Sequence, residues 1–273
     1  MARRLDFKDH RRELGSNRYV YAVVSRRARG LSVGVNLNPD KVCNFDCPYC
    51  QVDRTVPGGD GRVEVAGLRD ELDHLLALAR GDLWSVPPFD TAEPALRRVV
   101  DIAFAGDGEP TSPRNFAAAA RAARESRDAA GLTVPLRLLT NSTLLHRASV
   151  REALPTFDEL WCKLDAGTEP YFRLVDGTTF PFDRVLRNLR ETAADRPLVI
   201  QSMWLTVDGE AAPDAEVEAW ADRLVEVGNI DHVQVYTVAR RPADARVGPI
   251  GAERLAWIAE RARARGFEAR TYA

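Results

Sequence analysis

Cys43-Asn44-Phe45-Asp46-Cys47-Pro48-Tyr49-Cys50 is the stretch that decides the reading of this chain. Its cysteines are spaced C-x3-C-x2-C, directly after an apolar run at 32–37 (SVGVNL) that reads as a strand. Three of the four cysteines lie within these eight residues. In a reducing compartment such a cluster points to metal more than to disulfides. Thiolates are the natural ligands of iron–sulfur iron, and a loop after a strand can curl around a compact inorganic core. The run has no fourth cysteine. Three thiolates on a [4Fe–4S] cubane leave one iron open, and an open position is what a catalytic metal needs. The rival is structural zinc completed by a distant His or by Cys162. Zinc sites usually pair one C-x2-C with a second pair. Here there is no second pair, and His10, His74, His146 and His232 are scattered.

Outward from this loop, short strand-like runs alternate with helix-like stretches. Strands are expected near 32–37, 99–105, 135–140, 159–164, 198–204 and 232–237, with a weak last one near 267–272. Helices are expected over 67–80, 114–130, 147–154, 181–194, 214–227 and 251–265. Residues 67–80 carry Leu68, Leu72, Leu75, Leu76 and Leu78 near helical spacing. Strands alternating with helices imply βα units, right-handed crossovers and a parallel sheet. Six or more in a row suggest a full or partial barrel. Residues 19–25 (YVYAVVS) offer a strand before it. The stretches 52–66 and 81–95 are rich in Gly, Pro and acids and read as long loops, which in a compact domain are often functional.

A second landmark follows the second barrel strand: Phe104-Ala105-Gly106-Asp107-Gly108-Glu109-Pro110-Thr111. Two glycines let a backbone approach a ligand closely, and Glu109 places a carboxylate beside it. Further polar residues end the later strands: Thr140-Asn141-Ser142, Lys163-Leu164-Asp165, Gln201-Ser202, and Gln234 with Tyr236 and Thr237. Polar groups at the C-terminal ends of barrel strands read as site residues. Strand alternation puts Trp161, Lys163 and Asp165 on one face and Leu160, Cys162 and Leu164 on the other. Lys163 and Asp165 would be costly against packed helices, so their face is expected to point inward. Cys162 is then a core residue.

With these residues the chain resembles the radical SAM superfamily. The resemblance implies a partial (β/α)6 TIM-like barrel over 32–273, preceded by a basic extension at 1–31. It implies a [4Fe–4S] cluster on Cys43, Cys47 and Cys50, and S-adenosylmethionine (SAM) chelated to the open iron. By the same resemblance Tyr49 contacts the adenine, Gly106-Asp107-Gly108-Glu109 matches the family's Gly-Gly-Glu contact to the methionyl ammonium, and Asn141, Ser142 and Ser202 touch ribose or carboxylate. Asp107 stands where the plain motif has glycine. Lys163 and Asp165 are candidate catalytic residues. Lys163 would bind substrate or transfer a proton, against a salt bridge with Asp165. Arg240 and Arg241 are candidates to grip a phosphate or carboxylate, against an ordinary solvated loop.

Within the superfamily, Phe104–Thr111, Lys163–Ala166 with Thr168, Glu169 and Tyr171, and Val233–Arg240 followed by Arg241-Pro242-Ala243 are similar to the wybutosine-related group. That group includes the tRNA 4-demethylwyosine synthases. Those enzymes carry an extra cysteine set, whereas residues 1–42 here contain none. No room is left for a flavodoxin domain, so an external flavodoxin or ferredoxin is the expected electron donor.

The bulk numbers are compatible with these expectations. The chain has 273 residues, 45% hydrophobic and 29% charged, with a formal charge of −2. That is ordinary globular composition, with no global pull toward nucleic acid or membrane. No apolar run approaches the roughly 20 residues that span a bilayer. The N-terminus lacks a secretory core, and a cytoplasmic protein is expected. Residues 1–29 hold nine Lys/Arg, including Arg11, Arg12, Arg26 and Arg27, against Asp6, Asp9 and Glu13. This arm reads as a solvated face or as an RNA-binding patch. The leading expectation is a small polar or nucleoside-type substrate, with RNA as the alternative. A non-catalytic iron–sulfur or zinc protein is the alternative of another class.

Overall fold

The computed structural model describes residues 5, 12, 14–25, 28–240, 242 and 244–273. They fall into two compact units. The first comprises Met1–Val42, Pro57–Leu139 and Arg147–Glu159; the second comprises Cys43–Val56, Thr140–His146 and Leu160–Ala273.

In the first unit β1 (Val20–Ser25) pairs antiparallel with β2 (Gly30–Val35). β3 (Val99–Phe104) joins β2, and β4 (Leu136–Thr140) joins β3, both in parallel. Every residue of β2 is buried, as expected of a parallel-sheet strand covered on both faces. The helices are α1 (Val65–Ala79), α2 (Phe116–Ala129) and the single turn α3 (Ala148–Arg151). α1 buries Leu68, Leu72, Leu75 and Leu76, the i, i+4, i+7, i+8 face of an amphipathic helix. Each such leucine stabilises the fold by about 1.5–3 kcal/mol relative to exposure. α2 is built on alanine, the best helix former. At its start Phe116 stacks on Phe157 with centroids 5.8 Å apart, and both meet Phe104 edge-on.

The second unit contains β5 (Glu159–Lys163), α4 (Glu169–Asp176), α5 (Phe182–Asp195), β6 (Leu198–Met203), α6 (Asp214–Val227), β9 (Ile230–Tyr236), α7 (Ala252–Ala264) and β11 (Ala269–Tyr272). β5–β6, β6–β9 and β9–β11 all pair in parallel. Three short strands, β7 (Leu205–Val207), β8 (Glu210–Ala211) and β10 (Val247–Pro249), form a separate antiparallel sheet with β7 in the middle. In the parallel sheet Lys163, Gln201 and Gln234 stand side by side in register. Cys162 is fully buried and pairs with Ile200, in the row that alternates with Lys163.

The expected strands and helices are present. Residues 20–25 of the expected extension are β1, paired with β2. α1 starts at Val65, inside the expected loop, and 81–95 contains three single 3-10 turns. α4 was not anticipated. Thr168 caps it, its hydroxyl accepting from Tyr171 N–H, and Gly177 ends it in the left-handed region at φ 56°. Among the described residues no helix is long and apolar enough to cross a membrane.

Candidate functional site

The cysteine loop lies in the second unit, and its own neighbours hold it in place. Asn44 sits between two residues of the 140–146 segment of the same unit: its Nδ2 donates to Thr143 Oγ1 at 2.7 Å, and its Oδ1 accepts from Asn141 Nδ2 at 2.7 Å. Asn141 Oδ1 in turn accepts from Thr143 N–H and Oγ1. Phe45 meets Phe172 of α4 edge-on at 5.6 Å. Asp46 N–H donates to Asp176 O at 3.2 Å. Here only a glycine fits at 177, because a Cβ there would collide with Asp46 O.

All four cysteines are reduced thiols; Cys43, Cys47 and Cys50 are partly exposed. Their sulfurs point to different neighbours. Cys43 Sγ lies 4.0 Å from Asn44 Oδ1, Cys47 Sγ lies 3.7 Å from Asp176 Oδ1, and Cys50 Sγ accepts from Arg54 at 3.2 Å. Among the described residues no group of three or more His, Cys, Asp and Glu side chains is already gathered for a metal. The donor set nonetheless fits an iron–sulfur cluster: three thiols on one short loop, with cationic Arg54 beside one of them.

Behind the loop is a buried charged cluster. Lys163 Nζ forms ion pairs with Asp165 and, at 2.7 Å, with Asp176. The ammonium also lies 4.5 Å from the centre of the Tyr49 ring. Tyr49 O–H donates to Asp165 Oδ2 at 2.5 Å, and Met203 N–H donates to Asp165 Oδ1 at 2.9 Å. Burial alone would lower the Lys163 pKa, but Asp165 and Asp176 outweigh it and hold the ammonium well above its ordinary range. Burial raises both carboxyls against the pull of Lys163, Asp176 to about 7. Burial also pushes the Cys47 thiol up, with Lys163 opposing. Lys163 is therefore a charged, doubly paired group. The salt bridge with Asp165 weighed against a substrate role is present, and Asp176 is a second partner.

The Gly106–Glu109 stretch belongs to the first unit. Asp107 is anchored by Arg12 at 2.8 Å and by Asn36 Nδ2 at 2.8 Å, and its N–H donates to Asn36 Oδ1. Glu109 is buried and accepts from Thr111 N–H and Oγ1. A Cβ at Gly106 would collide with Asn36, and one at Gly108 with Val42 O. Both glycines are thus required by the protein's own packing. Arg12, one of the basic-arm residues, is spent on Asp107.

The other expected positions separate. Ser202 is fully buried; its hydroxyl donates to Leu164 O at 2.7 Å and accepts from Trp220 Nε1 at 3.0 Å. It faces Trp220 of α6, in the row that alternates with Lys163 and Gln201. Ser142 is fully buried in the left-handed region at φ 66°, and its Oγ has no partner among the described residues. Asn141 orients the cysteine loop. Arg240 lies on the loop after β9. Arg241 and most of the basic arm lie outside the described residues. Sequence reasoning missed Asp176, Gly177, Asn44 and Arg54. The Asp-Gly pair at 176–177 was the available signal, since Gly after a helical turn marks a C-cap.

No family model matches the chain. A GTPase Obg of Brachyspira hyodysenteriae is 27% identical over 251 residues, 89% of this chain and 33% of that protein. A UPF0026 protein of Methanocaldococcus jannaschii is 28% identical over 161 residues, 57% of this chain and 43% of its own length. The chain thus spans less than half of these curated relatives. It contains no Gly-Lys pair, and so no GxxxxGK[S/T] phosphate loop. Among solved structures, a radical SAM methyltransferase from Sphaerobacter thermophilus superposes with a TM-score of 0.64 at 18% identity, covering 93% of this chain and 68% of that one. Streptococcus suis SuiB bound to S-adenosylmethionine gives 0.61 at 14% identity, over 91% and 52%. TYW1 with a lysine–pyruvate adduct gives 0.60 at 11% identity, over 92% and 85%.

Proposed function

Because this chain has the radical SAM fold, a partial (β/α) barrel, we propose that it is a radical SAM enzyme. The carrying observation is the C-x3-C-x2-C loop, with three partly exposed thiols seated by contacts to Asn141, Thr143 and α4. Cys43, Cys47 and Cys50 would hold a [4Fe–4S] cluster, and Gly106–Glu109 would contribute to the SAM site. When bound, cluster and SAM together supply reductive cleavage of the sulfonium and a 5′-deoxyadenosyl radical that abstracts hydrogen. The chain's own part is to orient the ligands, exclude water and fix charge. An external flavodoxin or ferredoxin is the proposed donor of the electron.

The substrate we propose is small and polar or nucleoside-type. Lys163, Gln201 and Gln234 form one polar register row, and Gln201 donates to Gln234 at 3.1 Å. The two carboxylates that hold Lys163 protonated support an electrostatic role for it rather than a nucleophilic one. The test is anaerobic reconstitution with iron and sulfide, reduction by dithionite, and assay for 5′-deoxyadenosine from SAM. Acid-labile sulfide together with 5′-deoxyadenosine is expected. Failure to form either, with the chain folded, overturns the reading. Turnover on intact tRNA but on no free nucleoside or small molecule would move the substrate class to RNA.

A further inference from the structure

We infer that the C-terminal end of α4 is a latch that seats the cysteine loop, with Asp176 as a positioning residue acting on Cys47. The inference rests on the radical SAM reading for its redox consequence, but not for its mechanical part. Residues of α4 and its cap meet the loop at four successive positions. Thr178 Oγ1 donates to Asn44 O at 3.3 Å, Phe172 packs on Phe45, Asp176 O accepts from Asp46 N–H, and Asp176 Oδ1 lies 3.7 Å from Cys47 Sγ. Gly177 permits the approach because it lacks a Cβ and tolerates φ 56°.

The choice of aspartate at 176 is not explained by packing. A carboxylate at the end of a helix faces the negative pole of the helix dipole. It is also almost wholly buried, its side chain 1% exposed, and is offset by Lys163, which it shares with Asp165. Buried ion pairs generally stabilise no better than apolar groups of the same volume. An aspartate held there at such a cost is accounted for by what it faces, the Cys47 sulfur. Hydrogen bonds and net charge around a ligating sulfur set the reduction potential of an iron–sulfur cluster. A carboxylate beside Cys47 favours the oxidised cluster and so lowers the potential.

The experiment compares the wild-type chain with Asp176→Asn, Gly177→Ala and Asp46→Asn. Asp46 is an exposed acid on the same loop, so its replacement controls for charge alone. Each chain is first checked for a cooperative melt. After reconstitution, the Asp176→Asn cluster should titrate at a more positive potential than both wild type and Asp46→Asn. It should also lose iron to a chelator several-fold faster. An Asp176→Asn cluster matching wild type in both measurements overturns the redox role. Hydrogen exchange at the Asp46 amide in the metal-free chain tests the latch separately. Exchange at least about tenfold faster in Gly177→Ala supports it; unchanged exchange overturns it. If the folded wild-type chain takes up no iron and sulfide, the radical SAM reading and the redox role fail together, and the exchange measurement still decides the latch.

Discussion

Replacing Lys163 by methionine tests the buried charge cluster most directly. Methionine keeps much of the side-chain volume but removes the cation shared by Asp165 and Asp176, whose side chains are 0% and 1% exposed. Removing one partner of a buried ion pair costs about 3–5 kcal/mol. At roughly 2–4 °C per kcal/mol for a chain of this size, the melting temperature should fall by about 6–20 °C. The loss should also depend on pH. A carboxyl whose folded pKa is raised above its ordinary 3.8 contributes stability that is fully present below that value. The contribution is lost as pH rises through the folded pKa, about 7 for Asp176 in the wild type. Lys163 pulls both carboxyls down, so its removal lets them climb and carries the loss to higher pH. Thermal melts of both chains at about pH 5 and pH 8 read this out: the deficit should be smaller at the acid end and larger at the alkaline end. A deficit below about 1 kcal/mol at pH 8, or the same deficit at both, would refute the reasoning.

Three further outcomes are expected. Alanine at Cys43, Cys47 or Cys50 should abolish iron and sulfide retention, whereas Cys162→Ala should retain both and lose about 1 kcal/mol of stability in denaturant titration. Ser202→Ala should leave the SAM dissociation constant of the reconstituted chain unchanged while costing about 1 kcal/mol, because the hydroxyl it removes bonds Leu164 and Trp220; a large loss of SAM affinity would return Ser202 to the ligand site. Burial would raise the Asp158 carboxyl, but Leu136 N–H, Arg127 and Arg124 outweigh it and lower its pKa. Its contribution, about 1 kcal/mol after discounting for partial exposure, is present above its unfolded pKa and lost as pH falls through the lowered folded value. The melting difference between wild type and Asp158→Asn should accordingly close under strong acid.

The parallel strands and long helices were legible because their signals are local: short apolar runs for the strands, and leucine spacing in α1. Cys162 and Lys163 sorted onto opposite faces by the period of two alone. The same rule, carried across the register to β6, places Ser202 with Cys162 and away from Lys163. α4 escaped notice because it has only eight residues, too few for periodicity to show. Its cap residues, Thr168 and Gly177, were the legible signs. The polar contacts around the cysteine loop join residues about 100–130 positions apart, such as Asn44 with Asn141 and Cys47 with Asp176. No local pattern encodes such pairings.

α4 is fixed at both ends. At its start Glu216 of α6 accepts from Thr168 N–H at 3.1 Å and from Thr168 Oγ1 at 2.6 Å; at its finish stands the aspartate beside Cys47. An eight-residue helix is a strut only about 12 Å long, too short to absorb a shift at one end by bending. A change of side chain at Glu216 is accordingly expected to be felt at the 176–177 end. Across species, residues 168, 176, 177 and 216 should drift as a group, and a loss at 216 should be tolerated only where the 176–177 end has changed to suit it.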